Sequence, residues 1–129
     1  MKENKHILVI DDDEMLLYAI KMKLELAHYK VTTCSTVMDA YFKLDLLKPD
    51  LILLDIIMPE INGLEFMNLI NSRLVAIQAP IILMTRLTKN ELFEMGYKFG
   101  AASYLAKPFD VNDLPGILEK GFMNAGTKV

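Results

Sequence analysis

The chain has 129 residues, of which 53% are apolar, and its formal net charge is −3. That length fits one domain with a core large enough to fold without disulfides, and the acidic balance offers no electrostatic attraction to nucleic acid. No apolar run approaches the roughly 18 residues that span a bilayer, and a single cysteine, Cys34, cannot form an internal disulfide, so we expect a cytoplasmic chain that binds neither membrane nor nucleic acid.

The first half of the chain alternates short apolar runs with longer amphipathic segments. Residues 7–10 predict a buried strand, which three successive aspartates end. Residues 14–27 predict a helix, because apolar side chains recur there at intervals of three and four. Residues 31–34 predict a second strand, and Thr36 begins a pattern that resembles a capping box for a second helix. The inner face of the first helix is expected to hold Leu16, Ala19, Ile20, Leu24 and Ala27.

The second half continues the alternation. Residues 51–54 are four branched apolar residues, which predict a third strand that is buried on both faces and ends at Asp55. A third helix is expected near residues 64–70, after an Asn-Gly turn. Residues 80–84 predict a fourth strand, and residues 102–106 predict a fifth.

The last two helices are predicted from their start signals. Thr88 and Glu91 form a capping box for a helix that should stop at the glycines following it. The final helix has two candidate N-caps, Asp110 and Asp113. We expect the regular helix to start near Asp113, because a start at Asp110 would place Pro115 beyond the first turn, at a cost of about 3 kcal/mol.

Five strand–helix units, each of about 20–25 residues, predict an α/β fold with a doubly wound, five-stranded parallel sheet and five helices. This is a flavodoxin-like architecture. We assign residues 1–123 to this domain, and residues 124–129 to a polar tail or the start of a linker.

Aspartates end two of the predicted strands. Asp11, Asp12 and Asp13 follow the first strand, and Asp55 ends the third. Functional crevices in such sheets lie beyond the carboxyl ends of the strands, and neighbouring strands are only about 4.8 Å apart. Crowded carboxylates repel one another unless a cation lies among them, and this set of oxygen ligands suits Mg²⁺. The alternative is that these aspartates only cap turns and the first helix.

Two further polar residues fall on the same edge of the predicted sheet. Thr85 ends the fourth strand, and Lys107 follows the fifth. A hydroxyl and an ammonium group there would both be able to reach a phosphoryl group on Asp55. Taken singly, each has a simpler interpretation, as a turn threonine and a solvated lysine.

Several motifs, in this order, resemble the receiver domain of two-component response regulators, of the chemotaxis-regulator type, across nearly the whole chain. They are Ile-Leu-Val-Ile-Asp-Asp-Asp at 7–13, Asp-Ile-Ile-Met-Pro at 55–59 with Gly63, Thr85, Gly-Ala at 100–101, and Tyr-Leu-Ala-Lys-Pro-Phe at 104–109.

The resemblance implies a phosphoacceptor switch. Asp55 would take a phosphoryl group from a phosphohistidine on a histidine kinase or phosphotransfer protein. Mg²⁺ would be held by Asp11, Asp12 and Asp55, together with the backbone carbonyl of Ile57. The chain would catalyse only its own phosphorylation and dephosphorylation, and would pass the signal to a downstream effector domain or protein.

The resemblance also implies how the signal leaves the site. Thr85 and Lys107 would bind phosphoryl oxygens, and Tyr104 would be the switch aromatic, whose ring turns inward when Thr85 moves. It further implies a cis bond between Lys107 and Pro108, the strand order 2-1-3-4-5, and a monomer or weak dimer.

Two positions depart from the family pattern. Arg86 stands where a small residue is usual. Its side chain could reach the phosphate, partly block the pocket or point to solvent, and we expect the last. His28 stands at a helix end that usually holds glycine. The alternative function is an aspartyl-nucleophile phosphatase or phosphotransferase. Such enzymes generally carry a second aspartate two residues after the nucleophile, where this chain has Ile57.

Overall fold

A computed structural model describes residues 5–57, 65, 79–94 and 103–127 of the chain. These residues form a parallel sheet with helices on both faces. The strands are β1 (His6–Ile10), β2 (Lys30–Cys34), β3 (Leu51–Asp55), β4 (Ile81–Thr85) and β5 (Ser103–Ala106), and the α-helices are α1 (Glu14–Leu26), α2 (Val37–Leu47), α3 (Lys89–Glu94) and α4 (Leu114–Thr127), the last preceded by a 3₁₀ helix, Val111–Asp113.

The sheet has the order β2-β1-β3-β4-β5, and all neighbouring strands are parallel. The predicted doubly wound sheet and the strand order implied by the resemblance are therefore confirmed. Every residue of β1, β3 and β4 is buried, because central parallel strands are covered on both faces. Side chains alternate between two cores, one covered by α2 and α3 and the other by α1 and α4.

The predicted helix starts are also confirmed. The Thr36 hydroxyl accepts the Asp39 N–H at 3.1 Å at the start of α2. At α3, the Glu91 N–H donates to the Thr88 hydroxyl at 3.1 Å and the Thr88 N–H donates to the Glu91 carboxylate at 2.8 Å, so both halves of the capping box form. The helix α4 begins at Leu114, directly after Asp113, so that Pro115 falls in its first turn.

The inner face of α1 differs from the prediction mainly at Leu16, and the predicted Ala19 and Ala27 are only half-buried. Leu17, rather than Leu16, is buried with Ile20 and Leu24, while Leu16 is only partly covered. Leu16 and Leu17 are both compatible with the helical spacing of apolar residues. The rotation of α1 about its axis decides which of them faces the sheet.

His28 follows the end of α1, at the position where the family pattern usually has glycine. This residue has φ 74°, in the left-handed region. The Tyr29 N–H donates to the Leu24 carbonyl and the His28 N–H donates to the Glu25 carbonyl, both at 3.0 Å. These two bonds define a Schellman motif, in which glycine usually occupies the place of His28.

Some predictions fall wholly or partly outside the described residues. Of the expected third helix only residue 65 is described, and it is helical; the expected end of the helix that begins near Thr88 and the first residue of the expected fifth strand lie outside. The helix α4 continues to Thr127, so the first part of the segment 124–129 is helical, and the domain boundary stays a prediction. None of the described helices has the length and apolar character needed to cross a bilayer.

Candidate functional site

A cavity of about 280 Å³ opens at the carboxyl edge of the sheet. Parallel strands end on the same edge, and the residues that follow β1, β3, β4 and β5 therefore meet there. The lining residues are Asp11, Asp12, Asp13, Asp55, Ile57, Thr85, Arg86, Leu87 and Lys107. All the residues that the sequence assigned to metal and phosphoryl binding thus lie around one cavity.

The three successive aspartates have different surroundings. The Asp13 carboxylate accepts the Leu16 N–H at 3.1 Å and caps α1. Asp11 is fully buried, and one of its oxygens accepts the Asp13 N–H at 2.9 Å. Asp12 is exposed. One aspartate is therefore enough for the helix cap, and Asp11 and Asp12 are left for another role.

Asp55 is 6% exposed at the end of β3. One carboxylate oxygen accepts the Ile57 N–H at 3.1 Å, and the other lies 3.3 Å from the Lys107 ammonium nitrogen. Burial, followed by the negative charge of Asp11, raises the pKa of Asp55 to about 6, against the opposing effects of the Ile57 N–H and Lys107. Both causes disfavour the ionised carboxylate, so a cation bound nearby would lower this pKa.

Lys107 is the cation shared by these carboxylates. Its ammonium nitrogen lies 2.6 Å from an Asp11 oxygen and 3.3 Å from an Asp55 oxygen. Burial by itself would lower the pKa of Lys107. The hydrogen bond to Asp11 and the charges of both aspartates outweigh the effect of burial, so the pKa is raised. The Lys107–Pro108 bond is cis, as the resemblance implied. The sequence did not reveal the contact with Asp11, 96 positions away, although both residues were placed on the same edge.

The donor set fits a hard divalent cation. Carboxylate oxygens of Asp11, Asp12 and Asp55 lie within 4.8 Å of one another, and Mg²⁺ is usually held by one or two carboxylates with other oxygen ligands. The raised pKa of Asp55 is a second sign that a cation would relieve repulsion at this edge. The part of the backbone carbonyl of Ile57 in such a site stays a prediction.

Thr85 and Tyr104 are both hydrogen-bonded to the backbone of Leu87. The Leu87 N–H donates to the hydroxyl of the buried Thr85 at 3.1 Å, and the Tyr104 hydroxyl donates to the Leu87 carbonyl. The Tyr104 ring is half-buried, and the Lys89 ammonium nitrogen lies 5.6 Å from its centroid. The loop after β4 is thus bonded at one residue to both members of the expected switch.

The remaining sequence predictions concern exposure. Arg86 is exposed, as expected, although it is one of the residues that line the cavity. The Ile57 side chain is 51% exposed at the rim. Cys34 is 2% exposed, and burial, followed by the charge of Asp39, raises its pKa to about 11. It is therefore a core thiol rather than a nucleophile.

Comparison with known proteins gives a consistent result. The family model described as the response regulator receiver domain matches residues 7–119. The chain is 34% identical over 113 residues to the alkaline phosphatase synthesis transcriptional regulatory protein PhoP of Bacillus subtilis, covering 86% of this chain and 45% of that protein. The chain spans about half the length of the curated relatives it matches.

Solved structures share the same fold. The chemotaxis protein CheY4 of Vibrio cholerae superposes with a TM-score of 0.82 at 27% identity, covering 91% of this chain and 98% of that one. The response regulator protein TrrA of Thermotoga maritima, in complex with Mg²⁺ and BeF, gives a TM-score of 0.77 at 30% identity, with the same coverage of 91% and 98%.

Proposed function

The chain belongs to the family of response regulator receiver domains, the phosphoacceptor signalling switches of two-component systems, and from this premise we propose that Asp55 is its phosphoacceptor. The phosphoryl donor is a phosphohistidine on a partner histidine kinase or phosphotransfer protein. The receiver of the signal is an effector domain or protein whose binding changes with phosphorylation.

The proposed reaction requires an ionised carboxylate at Asp55. A carboxylate oxygen forms a bond to phosphorus while the bond from the histidine nitrogen to phosphorus breaks, and that nitrogen keeps the electron pair. A pKa of about 6 leaves the Asp55 carboxylate mostly ionised at neutral pH. Its burial at a strand end holds the attacking oxygen in a fixed position, which is the larger part of catalysis in phosphoryl transfer.

The other residues of the cavity bind charge. Asp11, Asp12 and Asp55, with the backbone carbonyl of Ile57, would hold Mg²⁺, which when bound supplies positive charge next to the phosphoryl oxygens. Lys107 stays ionised between its two carboxylates and binds a phosphoryl oxygen once Asp55 is esterified.

The signal is proposed to leave through the loop after β4. To reach a phosphoryl oxygen, the Thr85 hydroxyl turns away from the Leu87 N–H that it now accepts. Leu87 also accepts the Tyr104 hydroxyl through its carbonyl, so a shift of this loop changes the position of Tyr104. The result is a surface with two states, whose populations phosphorylation shifts.

The observation that carries the proposal is the buried Asp55 carboxylate within reach of Asp11, Asp12 and Lys107 in one cavity. The test is incubation with acetyl phosphate and Mg²⁺, followed by intact mass measurement. The wild type should gain one phosphoryl group and Asp55→Ala should gain none. Asp45→Ala, which removes an exposed carboxylate of α2, is the matched control and should behave as the wild type. Uptake by Asp55→Ala, or none by the wild type, would contradict the proposal.

A further inference from the structure

Arg86 brings a second cationic side chain to the cavity. It follows Thr85 directly, is exposed, and lines the cavity together with Asp55 and Lys107. Among the described residues, the ion pairs within 4.0 Å leave its guanidinium without a carboxylate partner. This cation is therefore available to a ligand.

Lys107 is not available in the same way. Its ammonium group already contacts Asp11 at 2.6 Å and Asp55 at 3.3 Å, and its side chain is 12% exposed. Binding a phosphoryl oxygen through Lys107 alone would require this group to share its charge between Asp11 and the phosphoryl group. The Arg86 guanidinium has no such competition from the carboxylates that the structure describes, and its planar donors match the oxygens of a phosphoryl group.

The charges around the cavity indicate when the second cation is needed. Four aspartates and two cationic side chains line it, so a bound divalent ion balances the charge before phosphorylation only if Arg86 is counted. A phosphoryl group then brings a total charge of about −1.5 to −2 to the position of a single carboxylate charge. The additional negative charge makes a contact between Arg86 and this group more favourable, and no described carboxylate competes for that cation.

We propose that Arg86 is a second ligand for the phosphoryl group on Asp55, and that it strengthens the binding of phosphoryl-like anions at this site. The inference rests on the proposed function of Asp55. In this proposal Arg86 contacts the phosphoryl group only in the phosphorylated state. The exposed side chain seen here is its conformation before phosphorylation. The residue next to Thr85 thereby sets how tightly this receiver holds its phosphoryl group.

The test measures affinity for beryllium fluoride in the presence of Mg²⁺, the ligand pair found with TrrA. Binding is followed by intrinsic fluorescence, since the chain has five tyrosines and no tryptophan. We expect Arg86→Ala to weaken binding about tenfold, the effect of one charge-assisted hydrogen bond, and Arg86→Lys to recover part of it. The control Lys30→Ala removes the same charge from an exposed residue at the opposite end of the sheet, and should bind as the wild type.

The outcomes separate this inference from the proposed function. If the wild type binds and Asp55→Ala does not, the site is the one proposed, and the Arg86 variants decide the inference. Equal affinity of Arg86→Ala and the wild type overturns it. Tighter binding by Arg86→Ala also overturns it, because the guanidinium would then obstruct the cavity. If the wild type itself does not bind, the proposed function fails, and the role of Arg86 fails with it.

Discussion

Buried polar groups at the amino end of the sheet differ in their partners from those at the carboxyl end. At the amino end, His6 is 7% exposed, and its ring nitrogens lie 3.1 Å from the Leu47 carbonyl and 2.7 Å from the Thr32 hydroxyl. Its backbone N–H donates to the Asp50 carboxylate at 2.7 Å, and the Asp50 N–H donates back to the His6 carbonyl at 2.7 Å. Hydrogen bonds at this end join β1 to its neighbours and leave no crowded carboxylates among the described residues.

At the carboxyl end, buried Asp11 and Asp55 share the ammonium group of Lys107. Burial and the repulsion between the two carboxylates raise the pKa of Asp55, so part of the stability of the domain is given up at this end. At the amino end the buried polar groups are hydrogen-bonded to neutral partners or to one carboxylate, whereas at the carboxyl end two buried carboxylates share one ammonium group, an arrangement that favours a bound cation. Four substitutions would break or sharpen this contrast.

The largest effect is expected at Lys107. Lys107→Met removes the cation between Asp11 and Asp55, and should lower the free energy of unfolding by about 3 kcal/mol when divalent cations are chelated. Urea denaturation at neutral pH measures this loss, and added Mg²⁺ should restore part of it. Lys43→Met, which breaks an exposed pair with Asp39, is the control and should leave the free energy of unfolding nearly unchanged. Equal losses for the two variants would remove the contrast.

The next effect has the opposite sign. Asp55→Asn should raise the free energy of unfolding by about 2 kcal/mol at neutral pH in chelator, because it removes a charge that the folded state disfavours. The folded pKa of about 6 lies above the ordinary 3.8, so the wild type loses stability as the pH rises from about 4 to about 6. The advantage of the variant should grow across this range and vanish below it. A difference that does not change with pH would contradict this electrostatic cause.

At the amino end, Asp50→Ala should lower the free energy of unfolding by about 1.5 kcal/mol, because the His6 N–H loses a charged acceptor. The same variant should bind beryllium fluoride with unchanged affinity. Thermal or urea denaturation gives the first value, and tyrosine fluorescence gives the second. Loss of anion binding in this variant would mean that the two ends are not independent.

The smallest effect is expected where α1 turns into β2. His28→Gly should raise the free energy of unfolding by about 0.5–1 kcal/mol, because glycine relieves the left-handed φ while adding some disorder to the unfolded chain. Urea denaturation measures the change, and anion affinity should not move. A destabilised variant would show that the His28 side chain makes a stabilising contact that outweighs its backbone strain.

Most of the fold was predictable because its signals are local. Four branched residues before Asp55 indicated a strand buried on both faces, and the capping box of Thr88 and Glu91 fixed a helix start. The resemblance named the cavity residues in advance, since strand ends that share an edge bring them together.

Contacts between distant positions could not be predicted. His6 and Asp50 are 44 positions apart, and neither carries a motif, so their mutual hydrogen bonds depend on the register of β1 against β3. The preference of Lys107 for Asp11 over Asp55 is a matter of less than one ångström. The choice of Leu17 over Leu16 likewise depends on how α1 is rotated on the sheet.

The buried thiol of Cys34 has a practical consequence for measuring these effects. At 2% exposure and a pKa of about 11, it will react with a thiol reagent only when the domain opens. A cysteine introduced on the surface can therefore carry a spectroscopic label while Cys34 stays in place. The rate at which Cys34 itself is modified then measures how often the domain opens at the β2 edge, in the same sample in which the label reports on the switch.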